Sequence, residues 1–154
     1  MIATNADCIT IDPQFAVIID DDDEMQRFIA TALTPLGMRV EAAKEAFAAI
    51  DACHPAIIFL DIALFRSDAI DVLRGLGKRR YGGIVQLMSG GRASLLESVQ
   101  RIGLREGLKL SAPLNKPFAG EPSSLAESFC CRPMKDYRIG TIYARLFGWR
   151  VVRF

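Results

Sequence analysis

Short, wholly apolar runs that alternate with stretches of helical spacing narrow the folds open to this chain more than any other feature. The clearest run is Ile57-Ile58-Phe59-Leu60, announced by Pro55; Phe15 to Ile19 and Ile84 to Met88 are of the same kind. Met38 to Ala42 and Leu108 to Leu114 are weaker candidates. Between them, Met25, Phe28, Ile29, Ala32 and Leu33 recur at helical spacing until Pro35 and Gly37 break the pattern. Ala43 to Cys53 is Ala-rich and helical, Ile70, Val72, Leu73 and Leu76 mark a third helix, and Leu95 to Leu104 a fourth. Strands that are apolar on both faces are expected where helices cover both sides of a sheet. Repeated βα units with right-handed crossovers then predict an α/β fold, a doubly wound five-stranded parallel sheet with helices on both faces.

The 154 residues suit one ordinary domain, and a chain that is 51% hydrophobic and 24% charged has globular composition. A net charge of +1 gives no reason to expect a nucleic-acid partner. The charge is unevenly spread, with 13 Lys/Arg against 15 Asp/Glu in residues 1–118 and 6 against 3 in residues 119–154. No apolar run approaches the ~20 residues needed to span a bilayer, so no membrane span is expected. No signal peptide is apparent at the N-terminus. Cys8, Cys53, Cys130 and Cys131 show no zinc-type spacing, and reduced thiols in a cytoplasmic protein are the simplest reading. The sequence divides into an N-terminal extension (1–14), the βα-patterned domain (15–118) and a basic, aromatic tail (119–154).

In doubly wound sheets ligands bind at the carboxyl ends of the strands, near the switch in strand order. The residues that fall there are Asp20 to Asp23, Asp61, Ser89 and Lys116. The ordinary reading of the four aspartates is a solvated loop in which Asp22 or Asp23 caps the next helix. Asp61 could equally cap a helix, Ser89 could be a turn residue before Gly90-Gly91, and Lys116 could form a surface salt bridge. Taken together they suggest more. Clustered carboxylates repel until a hard cation joins them, and Mg2+ prefers oxygen ligands. A carboxylate beside such a cation can act as nucleophile toward a phosphoryl group. A hydroxyl and an ammonium are suited to hold the product.

The segment FAVIIDDDDEMQRFIATALTPLGMRVEAA resembles the opening of a two-component response-regulator receiver domain, and PAIIFLDIALFRSDAIDVL its phosphoacceptor strand, loop and helix. IVQLMSG is similar to the fourth strand with its Ser/Thr position, and NKPF to the Lys-Pro end of the fifth. The resemblance covers residues 15–118 and implies a flavodoxin-like fold in a stand-alone receiver. It makes Asp61 the phosphoacceptor, Asp21 a direct magnesium ligand, and Asp20 the adjacent carboxylate acting through water. It adds the Ala63 backbone carbonyl as a further ligand, with Ser89 and Lys116 on the phosphoryl group and a cis bond before Pro117. The implied role is a phosphorylation-dependent signalling switch, not an enzyme. Its phosphate would come from a sensor histidine kinase or phosphotransfer protein, and its output would go to an unidentified protein.

Several positions depart from the family pattern. Phe65 replaces the usual proline of the loop, and Ala69 the usual glycine. Pro113, three residues before Lys116, stands where an aromatic normally reports phosphorylation. The fifth helix reads as degenerate, Pro122 to Phe129 at most, followed by KDYRIGTIYARLFGWRVVRF. That tail suits a packed extension or a poorly ordered terminus, a homodimer surface, or contact with an acidic partner or a membrane surface. Two alternatives stay open: a Mg-dependent phosphohydrolase with an aspartate nucleophile, and a non-switching pseudo-receiver. Against the first, the position two after Asp61, where such enzymes carry a second aspartate, is Ala63.

Overall fold

The structure, a computed structural model, describes residues 11–43, 46–64, 68–91 and 93–117. The expectations for the first ten residues, for Phe65 and for the tail 119–154 lie outside these. In chain order the elements are β1 (Asp12–Ile19), α1 (Asp23–Leu33), a 3-10 turn (Thr34–Leu36), β2 (Arg39–Ala42), α2 (Ala46–Cys53) and β3 (Pro55–Asp61). Then follow α3 (Ala69–Lys78), β4 (Ile84–Ser89), α4 (Ala93–Arg105), β5 (Lys109–Leu110) and β6 (Leu114–Asn115). All pairings are parallel and run β2-β1-β3-β4-β5, with β6 also on β4.

The apolar runs are the central strands because both of their faces are covered. Every residue of β3 is buried. Ile58 and Leu60 face a core shared with Val17, Val72, Leu73, Leu76, Val85 and Val99, under α2, α3 and α4. Ile57 and Phe59 face the opposite core with Ile18, Ile29, Leu33 and Met88, under α1. The alternation of strand side chains divides one apolar run between two cores. The edge strand β2 is mostly exposed, which accounts for its weak signal.

Helix ends follow local chemistry. Asp22 caps α1, accepting from the backbone N–H groups of Glu24 and Met25 at 2.9 and 3.2 Å. After α1, Gly37 adopts φ 77°, a left-handed conformation that favours glycine, and its N–H donates to the Thr34 carbonyl. β1 begins at Asp12, before the apolar run, because it pairs with Pro55 at the start of β3. One expectation needs correction: Leu108 to Leu114 is not a continuous strand. It is two short pieces, β5 and β6, separated by Ser111, Ala112 and Pro113. Pro113 has no N–H to give the ladder, and proline within a sheet is confined to edges and irregularities.

At the far end of the sheet from the strand C-termini, α2 and α3 are stapled together. Arg79 donates to both oxygens of Asp51 at 2.8 and 3.0 Å, and its guanidinium lies 4.3 Å from the Phe47 ring centroid. Gly75 makes room, since a Cβ there would come within 2.1 Å of Phe47 Cζ. The Arg79 hydrogen bond holds the Asp51 carboxyl below its ordinary value of 3.8. A group depressed in this way adds stability above its unfolded value, and the gain fades as pH falls through the folded one. Arg79→Ala should therefore cost about 1 kcal/mol at neutral pH, most of it from stacking because the ion pair is exposed. In denaturant titrations the gap to wild type should narrow below the ordinary aspartate value. A gap that is constant with pH would show that the ion pair contributes nothing.

Candidate functional site

Among the described residues four polar or charged side chains are buried: Asp20, Asp61, Gln86 and Ser89. Asp20, Asp61 and Ser89 gather at the carboxyl ends of β1, β3 and β4, three adjacent strands. Burial of such groups is costly unless they are partnered, so their shared location demands an explanation. β1 and β3 are also where the order of the sheet reverses, the place at which an open α/β sheet leaves a crevice.

The partner is Lys116, delivered by the chain just beyond β6. Its ammonium lies 2.5 Å from Asp20 Oδ2 and 2.9 Å from Asp61 Oδ2. Its backbone N–H donates to the Ser89 carbonyl at 2.7 Å, and the Lys116–Pro117 peptide bond is cis, as the resemblance implied. Burial pulls the Lys116 ammonium down, but hydrogen bonds to Asp20 and Asp61 outweigh it and hold it above its ordinary 10.5. Burial pushes the Asp20 carboxyl up, against the opposing pull of Lys116. The other oxygens are held by backbone: Asp22 N–H donates to Asp20 Oδ1 at 3.0 Å, and Ala63 N–H to Asp61 Oδ1 at 3.1 Å. Gln26 adds a bond from its amide to the Asp20 carbonyl at 2.6 Å.

Ser89 is different. It is 1% exposed, and its hydroxyl has no hydrogen-bond partner among the described residues. A buried hydroxyl without a partner is uncommon, and a group bound at these strand ends would supply one.

Of the residues singled out from the sequence, Asp20, Asp61 and Lys116 are thus in direct contact. Ser89 is tied to Lys116 through the backbone, and Ala63 follows Asp61 on an exposed turn. Asp21 lies exposed on the β1–α1 loop. Among the described residues no three His, Cys, Asp or Glu side chains converge closely enough to hold a metal ion. Of the oxygen donors that the resemblance names, the carboxylates of Asp20 and Asp61 meet at Lys116, and carboxylate oxygen is the donor a hard cation prefers. Pro113 lies half-buried in the break between β5 and β6, and its ring has no rotamer large enough to swing. In the sequence Gln86 stands out only as a polar residue inside an otherwise apolar strand. Among the described residues no helix is long and apolar enough to cross a membrane.

No protein-family model matches the chain, and no curated protein sequence does so significantly. Solved structures do match. A response regulator from Colwellia psychrerythraea aligns with TM-score 0.65 at 24% identity, covering 87% of this chain and 99% of its own. A CheY-like receiver domain protein from Methanospirillum hungatei JF-1 aligns with TM-score 0.64 at 19% identity, over 88% and 99%. A BeF3-activated receiver domain aligns with TM-score 0.56 at 20% identity, over 76% and 94%. With its 2-1-3-4-5 parallel sheet and helices on both faces, the chain has the receiver fold of response regulators.

Proposed function

We propose that the protein is a phosphorylation switch of a two-component phosphorelay and that Asp61 is its phosphoacceptor. The observation that carries this reading is the meeting of Asp61, Asp20 and Lys116 beside a buried, unpartnered Ser89 hydroxyl. An Asp61 carboxylate oxygen attacks the phosphorus of a donor phosphohistidine, and the P–N bond breaks. The imidazole leaves with the bonding pair and takes up a proton, and an acyl phosphate remains on Asp61. Mg2+, held by Asp20, Asp21, Asp61 and the Ala63 carbonyl, would neutralise charge on the phosphoryl oxygens. Lys116 pairs with one of those oxygens and Ser89 donates to another. The sensor kinase or phosphotransfer protein and the output partner act in the cytoplasm on this reading. One structural neighbour of this fold is activated by BeF3, which mimics a phosphoryl group, in keeping with the same use here.

Ala63 disfavours the hydrolase alternative, since it offers no acid or base two residues after Asp61. The experiment is intact mass after incubation with a small phosphodonor and Mg2+, with turnover of phosphoesters followed in parallel. One stable phosphate per chain supports the switch. Rapid ester turnover indicates a hydrolase, and neither result indicates a non-switching receiver fold.

The movement that follows phosphorylation should centre on Ser89 and the glycines after it. Gly91 has φ 106°, and a Cβ at Gly90 or Gly91 would meet nothing within 4 Å, so this loop has room to rearrange. Proline at 113 has a fixed φ and no rotamer that could signal. Hydrogen exchange with and without a phosphoryl mimic should change over residues 89–95 and little over 110–114. The reverse pattern would overturn this account of switching.

A further inference from the structure

Gln86 is the buried polar residue that this chemistry leaves without a role. It is 2% exposed in the middle of β4, a strand buried at all six positions. On β4 the paired positions Val85 and Met88 are separated by two residues, Gln86 and Leu87. Their partners Leu110 and Leu114 are separated by three, Ser111, Ala112 and Pro113. The fifth strand therefore carries one extra residue, a bulge of a kind uncommon in parallel pairs. Its displaced backbone groups need new partners.

The Gln86 side chain meets one of them, the Ala112 carbonyl. Its Nε2 donates to the Ala112 carbonyl at 2.7 Å and to the Leu87 carbonyl at 3.1 Å. Its Oε1 accepts from Ser111 Oγ at 2.6 Å, while the Ser111 N–H remains on the Val85 carbonyl at 3.1 Å. The consequence lies downstream. Strand side chains alternate with period two, so one added residue reverses the facing of everything after it. Leu110 packs into the core under α4 and Leu114 into the opposite core, although four residues apart they would otherwise share a face. Lys116, two residues after Leu114, takes its direction from the same shift.

We propose that Gln86 is a positioning residue for Lys116: its buried amide locks the bulge at Ser111–Pro113, and the locked bulge sets where the Lys116 ammonium meets Asp20 and Asp61. The consequence for phosphoryl transfer rests on the phosphoacceptor reading of Asp61; the consequence for Lys116 does not.

Two measurements on the full chain test this. In Ser111→Ala, which removes a half-buried hydroxyl and is the milder change, the amides of 111, 112 and 114–116 should exchange about tenfold faster, as for loss of one internal hydrogen bond. Amides of β1 and β3 should be unchanged, and Ser111→Thr should restore protection. General destabilisation would speed all of these together and would overturn the clamp, as would no change at all. The second measurement is a double-mutant cycle. The stability lost on Lys116→Ala should shrink by roughly half in a Gln86→Met or Ser111→Ala background, because an ammonium no longer held in place has less to lose. Additive losses would show that Gln86 does not position Lys116. Failure of wild type to take up phosphate would sink the Asp61 reading while leaving both measurements decisive for Gln86.

Discussion

Asp61→Asn should take up no phosphate from a small phosphodonor in the presence of Mg2+, whereas wild type gains one per chain. The amide has no anionic oxygen to attack phosphorus, so the loss is of the reaction itself and not of a fraction of its rate. The substitution is also a fair test of chemistry apart from folding. Asparagine keeps the shape of the side chain and can still accept the Ala63 N–H bond now made at 3.1 Å to Asp61 Oδ1. Its NH2 then takes the place of Oδ2 and cannot accept from Lys116, which retains Asp20 as its ionic partner. A folded Asp61→Asn protein with an unchanged phosphate adduct would show that another carboxylate is the acceptor. Asp20 would then be the first to examine, being in contact with the same ammonium. The companion variant Asp21→Ala should weaken Mg2+ binding and slow the uptake of phosphate. If it does neither, the metal pair must be sought among Asp22 and Asp23.

Lys116→Ala should be the most damaging single change to the resting site, costing about 3 kcal/mol of stability, as expected when one partner of a buried ion pair is removed. The Asp20 side chain is 1% exposed and that of Asp61 12%, so both carboxylates are left facing each other with little water. Asp20 is already pushed up by burial and opposed only by Lys116 and its one backbone bond, from Asp22. Partial protonation of Asp20 would soften the loss. Added Mg2+ would soften it further, since a cation that binds only the folded state stabilises by mass action, by about 2.7 kcal/mol at a hundredfold excess over its Kd. The melting temperature of Lys116→Ala should therefore rise more steeply with Mg2+ than that of wild type, in which the ammonium already neutralises the carboxylates. Equal slopes for the two proteins would mean that Lys116 and the metal do not share these ligands.

The positions of the candidate site residues are legible because they depend on the rules of one architecture. Wholly apolar runs separated by helical patterns identify a parallel sheet, and in such a sheet the residue that ends each strand faces the crevice. Asp20, Asp61 and Ser89 are therefore marked by the run that each one closes, and Asp22 as a cap by its place ahead of a helix. Edge strand β2 was faint for the complementary reason: a strand with little buried surface has little pattern to read.

What only the tertiary structure decided concerns contacts between residues far apart in the chain. That Lys116 bridges Asp20 and Asp61 depends on how three strands stand side by side. No local spacing encodes a separation of 96 or 55 residues. The same holds for Arg79, which reads as one more charge after a helix until α2 brings Asp51 and Phe47 beneath it. Gln86 is the sharpest case. Alone in the sequence it is a polar residue misplaced in an apolar strand, and Ser111-Ala112-Pro113 is a weak stretch of the next one. Only when β4 and the fifth strand are laid together does one extra residue appear on one side and an amide of matching reach on the other. Propensity and periodicity act along the chain, whereas register is settled between strands, where each backbone group must find a partner.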